Sequence, residues 1–283
     1  MKINNHRLVQ GDGTPLPFVA TPNIGGVMRP EYLIIHFTAG SSAQSSIAWL
    51  SNPQAQASAH LVIGRDGSIT QMVPFNRSAW HAGKSLWDGR SGLNNFSIGI
   101  ELDNAGKLER AGSRWLSTVS KRAYPDDEVL IANHKQDRPG TPPSAWHEYT
   151  EAQIAAAQAV GLLLMQRYEL KDVLGHEDIA PGRKSDPGPA FPMASFSARL
   201  KGRRADQAQI FLTTTTLNIR SGPGLDHPLL PGSPLPAKTR LAVEEKQALW
   251  WQVEVLGAQS DDAAQGWVHS RFLRPEALAH EAK

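Results

Sequence analysis

The chain has 283 residues, of which 40% are hydrophobic and 20% are charged, with a formal net charge of +2 and no cysteine. This composition is typical of a globular protein with one large domain or two modest ones, and it excludes a fibrous or disordered chain. The small net charge does not favour a nucleic-acid partner, and no apolar run approaches the roughly 18 residues of a membrane span.

The amino terminus carries charges at Lys2 and Arg7, but no hydrophobic stretch follows them. It therefore lacks the pattern of a secretory signal peptide. Three alternatives remain: a cytoplasmic protein, export by another route, or a chain without its leader. The absence of cysteine does not decide between them, because it fits a wall-exposed protein and a cytosolic one equally.

The first predicted elements mix strands with a helix. Residues 32–38 are mostly apolar and β-branched, which predicts a buried strand. Residues 41–50 predict a short helix that Pro53 stops. Residues 59–63 and 69–73, joined by an Asp-Gly turn, give the strongest hairpin signal in the chain.

The pattern continues with a strand at 96–102, which carries Glu101 near its end. Residues 103–149 contain several prolines and are predicted to form loops or an insertion around a site. A capping box at 150–153 begins a helix that runs to about Tyr168. Together these elements predict an α/β domain with a central mixed β-sheet flanked by helices.

The sequence changes character after Leu200. Residues 201–209 are polar and predict a linker between a first domain at 1–200 and a small all-β domain at 210–275, followed by a tail at 276–283. The short strands predicted in the second domain are Ile210–Thr216, Thr239–Val243, Trp250–Val255 and Gly266–His269.

Residues 175–189 place a histidine, a lysine and an aspartate in a segment rich in glycine and proline. His176 and Asp186 lie ten positions apart, and a loop that folds back can bring both to one metal ion. Without cysteine, a zinc site must use His, Asp or Glu, and two protein ligands are too few. The candidates for a third ligand are the earlier histidines: His36, His60, His81, His134 and His147.

His36 stands out among these histidines because it interrupts a buried strand. Alone, a strand histidine is more often a hydrogen-bonded core residue than a metal ligand. Together with His176, Asp186 and Glu101, however, it would supply two imidazoles, a ligand carboxylate and a free carboxylate. That set is typical of a catalytic zinc site with three protein ligands and an open position.

Five blocks of sequence resemble the type 2 N-acetylmuramoyl-L-alanine amidases, which share their fold with the peptidoglycan recognition proteins. The blocks follow the order of the family over roughly residues 30–200, and the last block is highly specific. They are LIIHFTAG at 33–40, SAH at 58–60, WHAG at 80–83, SIGIE at 97–101 and the segment 175–189.

This resemblance implies one Zn²⁺ held by His36, His176 and Asp186, with Glu101 and Lys184 as the catalytic pair. Other family members use a tyrosine for the glutamate or a cysteine as third ligand, so this chain resembles the branch that contains the bacterial cell-wall-recycling amidase. The implied reaction is hydrolysis of the amide bond between N-acetylmuramic acid and L-alanine. The implied partners are peptidoglycan or muropeptides.

Three further residues are candidates for substrate binding. Trp80 and His81 would line the groove, because an aromatic face suits a sugar ring and the family carries a similar block. Arg183 would either pair with stem-peptide carboxylates through its bidentate guanidinium or remain a surface residue. His60 is expected to be a structural residue or to lie behind the ligands, since three ligands are already named.

Residues 217–224 (LNIRSGPG), 250–253 and 266–268 resemble the bacterial SH3-like domain. The resemblance implies a small SH3-like barrel that binds peptidoglycan or its stem peptides; the alternative is a packing domain that shields the catalytic part. Trp250 and Trp251 should point to opposite faces of a strand, so that one of them is exposed.

Two other functions stay open at this point. One is a non-catalytic peptidoglycan-binding protein on the same fold, and the other is a zinc hydrolase of another amide. A second module suits polymeric wall better than small cytosolic fragments, which favours the periplasm, the cell wall or secretion over the cytoplasm. We expect a monomer.

Overall fold

The computed structural model describes residues 1–205, 210–256 and 265–276. The chain divides into two compact units, residues 1–201 and residues 202–283. Among the described residues, no helix combines the length and the hydrophobicity that crossing a bilayer requires.

The first unit contains the strands and helices of an α/β domain. Its strands are β1 (Lys2–Asn4), β2 (Arg7–Val9), β3 (Ile24–Val27), β4 (Tyr32–Phe37), β5 (Leu61–Ile63), β6 (Ile69–Gln71), β7 (Arg77–Ala79), β8 (Leu86–Trp87), β9 (Arg90–Ser91), β10 (Ser97–Leu102), β11 (Lys107–Ala111), β12 (Arg114–Ser117), β13 (Ala123–Tyr124), β14 (Val129–Ala132), β15 (Ser144–His147) and β16 (Asp172–Gly175). Its helices are α1 (Ala43–Leu50), α2 (Glu151–Tyr168), α3 (His176–Ile179) and most of α4 (Met193–Ala205), which ends within the second unit. Short 3₁₀ turns lie at Pro53–Ala55, Leu93–Asn95 and Asp126–Glu128.

A five-stranded central sheet has the order β16-β4-β10-β5-β6. The first four strands are parallel and β6 is antiparallel, so the predicted mixed sheet is confirmed. Leu33 and Ile35 on one face pack in a cluster with Val160 and Leu164 of α2. On the other face, Val62 packs in a cluster that includes Leu50 of α1. Helices therefore flank the sheet on both sides.

The register of this sheet brings three chain segments to one edge. Glu101 of β10 lies directly opposite His36 of β4, and Gly175 at the end of β16 lies opposite Ile35. His176 follows Gly175, so it emerges beside His36. Because the carboxyl ends of parallel strands meet at the same edge of a sheet, this edge collects polar side chains from separate parts of the sequence.

Several sequence predictions of local structure are confirmed. The helix predicted at 41–50 begins at Ala43, with Ser42 as its N-cap. Helix α2 begins after Thr150, whose side chain and that of Gln153 form both hydrogen bonds of the capping box. The predicted hairpin is β5 and β6, and Gly67 in its turn has the positive φ of 82° that favours glycine there.

The prediction of loops across 103–149 is wrong. Strands β11 to β15, which we call the outer sheet, form a five-stranded antiparallel sheet in the order β13-β12-β11-β15-β14. Leu108, Tyr124 and Ala145 form the centre of its own small core. The prolines of this region lie between strands and not within them, so they do not interrupt the pairing.

The linker predicted at 201–209 is also wrong over the residues that the structure describes there. Helix α4 continues to Ala205, and residues 206–209 lie outside the described part of the chain. Phe196 and Leu200 of α4 are buried in the core of the first unit, and Lys201 pairs with Asp172. The prediction failed because the polar last turn of a helix has the same composition as a linker.

The second unit contains β17 (Ile210–Thr213), β18 (Arg240–Gln247), β19 (Trp250–Val255), β20 (Gln265–His269) and β21 (Leu273–Pro275), with a 3₁₀ turn at Ser270–Phe272. These strands form an antiparallel sheet in the order β20-β19-β18-β17-β21. Its core includes Ile219, Leu241 and Val253. Trp251 packs against that core, whereas Trp250 contacts the ring of His269, and both tryptophans are half-buried. The SH3-like barrel stays a prediction, and most of the predicted tail lies outside the described residues.

Candidate active site

Three side chains converge where the parallel strands end. His36 Nδ1 lies 2.9 Å from both His176 Nδ1 and Asp186 Oδ2, and His176 Nδ1 lies 3.0 Å from Asp186 Oδ2. All three residues are buried. The structure therefore brings together the three residues predicted as metal ligands. Both histidines face the centre through Nδ1.

The hydrogen bonds of the two Nε2 atoms, which face away from this centre, determine where the histidine rings carry their protons. His176 Nε2 donates to the carbonyl oxygen of Ala82 at 3.1 Å. His81 Nε2 donates to the carbonyl oxygen of Ser97 at 3.3 Å, which leaves His81 Nδ1 to accept from His36 Nε2 at 2.9 Å. These partners place the protons of His36 and His176 on Nε2. Both Nδ1 atoms consequently present lone pairs to the carboxylate.

Such a cluster of acceptors fits a cation. Burial lowers the pKa of His36 to about 4, and the neighbouring His176 lowers it further, so His36 holds no extra proton near neutrality. Burial would raise the pKa of Asp186, but the adjacent imidazoles of His176 and His36 outweigh it and hold that pKa below its usual range. Two imidazole nitrogens and one carboxylate oxygen are a donor set that zinc binds in catalytic sites.

Glu101 stands beside this cluster, directly opposite His36 on the neighbouring strand. Its Oε2 is buried and has no hydrogen-bond partner among the residues that the structure describes. Burial raises the pKa of Glu101 well above its usual value, Asp186 raises it further, and Lys184 opposes the shift. Glu101 also lines a groove of about 340 Å³ whose rim carries the exposed side chains of Trp49 and Val119.

Lys184 and Arg183 follow the short helix α3 and have different surroundings. Lys184 is exposed, and its charge lowers the pKa of both Glu101 and His36, which places a cation near the carboxylate. Arg183 donates through Nη2 to the carbonyl oxygens of Ala82 at 2.8 Å and Lys84 at 2.7 Å. Arg183 therefore holds the 81–84 loop against His176, a contact that the sequence did not predict.

Trp80 and His81 were both expected to line the groove, and for His81 this expectation is wrong. His81 is only 8% exposed, and its ring lies behind His36 as the link to Ser97. Trp80 is half-buried, and its backbone is held by Ser58, whose Oγ accepts from the Trp80 amide at 2.8 Å. Of the two aromatic residues, only Trp80 retains exposed surface for a ligand.

Gly99 makes room for His81. A Cβ at Gly99 would lie 2.5 Å from the His81 ring, closer than any real contact. We therefore expect Gly99→Ala to displace the His81 ring and to reduce the free energy of unfolding by about 1–3 kcal/mol, as overpacking does. Urea denaturation measures this loss. Gly26→Ala is the control, because a Cβ there meets nothing within 4 Å. Equal stability of the two variants would contradict the assigned packing.

His60 is buried one layer further from the site. Its Nδ1 accepts from the Gly99 amide at 3.0 Å, and its Nε2 donates to the carbonyl oxygen of Arg77 at 2.9 Å. Burial lowers the pKa of His60 to about 4, which the Arg77 bond partly opposes. His60 thus contributes to structure, in agreement with the expectation from the sequence.

The depressed pKa of His60 predicts a pH dependence of stability. The folded pKa of His60 lies below the unfolded value of 6.5, so the folded chain favours the neutral ring. The contribution of His60 to stability is therefore fully present above pH 6.5 and is lost as the pH falls towards 4. The slope contributed by one such group is about 1 kcal/mol per pH unit. Denaturation of the metal-free chain at a series of pH values measures it. We expect a shallower slope for His60→Gln, whose amide cannot titrate; an unchanged slope would contradict the assignment.

The two remaining histidines lie away from the centre. His147 is buried and contacts Glu128 at 3.1 Å, while its Nδ1 accepts from the Ala105 amide. His134 bonds to Glu177, next to a candidate ligand. Both were candidates for the third metal ligand, and the structure places neither of them in the ligand cluster. The contact of His134 depends on the unpredicted outer sheet.

Comparison with known proteins agrees with this geometry. The family model described as N-acetylmuramoyl-L-alanine amidase matches residues 26–189. The chain belongs to the type 2 N-acetylmuramoyl-L-alanine amidase family. The membership predicted from the motifs is confirmed. All the candidate ligands and both candidate catalytic residues lie within the matched range, and the second unit lies outside it.

Two curated relatives of this amidase family show how far the similarity extends. The 1,6-anhydro-N-acetylmuramyl-L-alanine amidase AmpD of Escherichia coli K12 is 38% identical over 143 residues, which are 50% of this chain and 57% of AmpD. The N-acetylmuramoyl-L-alanine amidase AmiD of E. coli K12 is 31% identical over 191 residues, which are 64% of this chain and 57% of AmiD. The chain thus spans 57% of the length of each relative. A crystal structure of a selenomethionine AmpD derivative has 28% identity and a TM-score of 0.47, covering 70% of this chain and 99% of that one.

Proposed function

We propose that this chain hydrolyses the amide bond between N-acetylmuramic acid and L-alanine in peptidoglycan or its muropeptide fragments, with one zinc ion held by His36, His176 and Asp186. One observation carries the proposal: three unprotonated ligand atoms converge within 3.0 Å of one another beside the buried carboxylate of Glu101. Family membership supports the choice of bond.

Zinc in this site would act as a Lewis acid that lowers the pKa of water to about 7 and polarises the amide carbonyl. Glu101 would accept a proton from the attacking water and deliver it to the departing amide nitrogen. Its pKa is raised by burial and by Asp186, which brings it closer to the working pH of a proton carrier. A positioned acid/base of this kind typically contributes ~10²–10⁴ in rate.

Lys184 would stabilise the negative charge that develops on the carbonyl oxygen. Its electrostatic influence on Glu101 and His36 supports this role, because the same charge acts on any anion formed between them. Trp80 would offer its exposed surface to a sugar ring. Arg183 would contribute to substrate binding mainly by fixing the loop that carries Ala82.

The second unit would act as an SH3-like module that binds cell wall. A groove of about 340 Å³ in this unit is lined by Trp250, His269, Phe272 and Arg220, among others, and supports a ligand with apolar and polar parts. We expect Trp250→Ala to reduce pull-down by sacculi and to leave turnover of soluble muropeptides unchanged. Undiminished pull-down would contradict a wall-binding role of this groove. Binding of polymeric cell wall by this unit would favour action outside the cytoplasm. We also expect the chain to act as a monomer.

The decisive experiment is product analysis. The zinc-loaded chain is incubated with purified sacculi and, separately, with soluble anhydro-muropeptides, and the products are identified by mass spectrometry. We expect free stem peptides that begin with L-alanine. Cleavage of another amide would indicate a different zinc hydrolase. Binding without any release would indicate a non-catalytic peptidoglycan-binding protein, and either result would overturn the proposal.

A further inference from the structure

The segment 176–188, which we call the ligand loop, carries both His176 and Asp186. It is held from outside by the outer sheet and by the residues that follow it. Two groups of contacts do this, one at the start of the loop through residues 134–136 and one at its end through Trp146 and Tyr149.

The first group neutralises a buried carboxylate next to a ligand. Glu177 follows His176 directly, and its side chain is only 4% exposed. His134 Nε2 donates to Glu177 Oε2, and Lys135 Nζ lies 2.8 Å from Glu177 Oε1. The His134 Nδ1 atom accepts from the Gln136 amide at 3.2 Å, which leaves the proton on Nε2 for this bond. A buried carboxylate that loses such partners is costly, so the pairing fixes its position.

Gln136 connects the beginning of the loop to its middle. Its Nε2 donates to the carbonyl oxygen of Glu177 at 2.7 Å, and its Oε1 accepts from the Gly182 amide at 2.8 Å. One amide side chain therefore spans helix α3 and the turn that follows it. Lys135 adds a second contact there, to the carboxylate of Asp178.

The second group holds the end of the loop, next to Asp186. Tyr149 Oη donates to the carbonyl oxygen of Pro187 at 2.8 Å. The Trp146 ring lies against Gly188, where a Cβ would approach it to 3.0 Å, and the same ring stacks with that of His134. The two groups of contacts are thus joined through Trp146 and His134.

We propose that this clamp, consisting of His134, Lys135, Gln136, Trp146 and Tyr149, positions the two ligands of the loop for the metal. The inference rests on the proposed zinc site. Glu177 follows the ligand His176, and Pro187 follows the ligand Asp186. The clamp holds both of these residues, so the main chain directly after each ligand is fixed by contacts that do not involve the metal. Partners outside the ligand set typically change metal affinity by 10–100-fold when they are removed.

Two measurements on the full chain test the clamp. Zinc affinity is determined by competition with a chromophoric chelator, and amide hydrogen exchange of residues 176–188 is followed in the metal-free protein. We expect His134→Leu, Lys135→Met and Gln136→Ala each to weaken zinc binding about tenfold and to accelerate exchange in the ligand loop. Gln136 is exposed, so its variant tests the idea even where loss of His134 impairs folding. His134→Gln, which retains a donor, should come closest to wild type.

Arg110→Met is the matched control, because Arg110 pairs with Asp126 inside the outer sheet and not with the loop. It should leave zinc affinity and loop exchange unchanged. The clamp is overturned if the three variants exchange in the loop like the control, or if they do exchange faster but bind zinc as tightly as wild type. A third outcome is that the wild-type chain binds no zinc while the variants still show faster exchange in the ligand loop. That result would contradict both the proposed function and the metal-positioning role, and the clamp would then be only a structural contact.

Discussion

Replacing Glu101 by glutamine is expected to lower kcat by roughly 10²–10⁴-fold and to leave zinc affinity close to that of wild type. Glutamine has the same shape but cannot carry a proton between water and the leaving nitrogen. Because Glu101 Oε2 has no hydrogen-bond partner among the described residues, the substitution breaks no contact of that atom. The loss should therefore be in turnover and not in folding.

Steady-state kinetics on a soluble muropeptide and chelator competition for zinc measure the two effects. Glu109→Gln is a suitable control, since Glu109 is an exposed residue of the outer sheet. Retained turnover would remove Glu101 from the mechanism. A parallel loss of zinc would make Glu101 a ligand, contrary to the three-residue set.

The candidate ligands could be predicted from the sequence because the signals are local. Residues 175–189 contain two of them in a short segment with a specific pattern, and the third interrupts an otherwise apolar strand. What the sequence does not contain is the register between strands. That Glu101 lies opposite His36 follows from the pairing of β10 with β4, which joins residues 65 positions apart.

The role of His81 illustrates why burial was harder to predict than chemistry. Its position behind His36 depends on the missing side chain of Gly99 and on the carbonyl of Ser97, both on a neighbouring strand. A Trp-His pair in a loop has the same sequence whether the ring faces solvent or the core. Only the pairing of strands decides between these alternatives.

The outer sheet was missed for a related reason. Its strands are short, from two to five residues, and its apolar positions serve a small core of their own. Short strands give weak periodicity, and the intervening prolines favoured loops. The contacts of His134 and Lys135 with the ligand loop could not be anticipated, because they require this sheet to exist.

Replacing Asp186 by asparagine is expected to abolish turnover and the stabilisation that zinc confers, without destabilising the metal-free chain. Asp186 Oδ2 lies 2.9 Å from His36 Nδ1 and 3.0 Å from His176 Nδ1, and both nitrogens present lone pairs. An amide in place of the carboxylate offers N–H groups to these lone pairs, so the metal-free cluster loses no hydrogen bond and gains a donor. The same change removes the anionic ligand that zinc requires.

Denaturation with and without zinc separates these effects. At a free zinc concentration about 100 times its Kd, binding should stabilise the wild-type chain by about 2.7 kcal/mol, whereas the variant should gain almost nothing. Asp226→Asn, an exposed change in the second unit, should respond to zinc like wild type. If zinc stabilised Asp186→Asn as much as wild type, the metal would lie elsewhere. If the metal-free variant were much less stable than metal-free wild type, the carboxylate would serve the fold in its own right, and the two Nδ1 atoms could not both be acceptors.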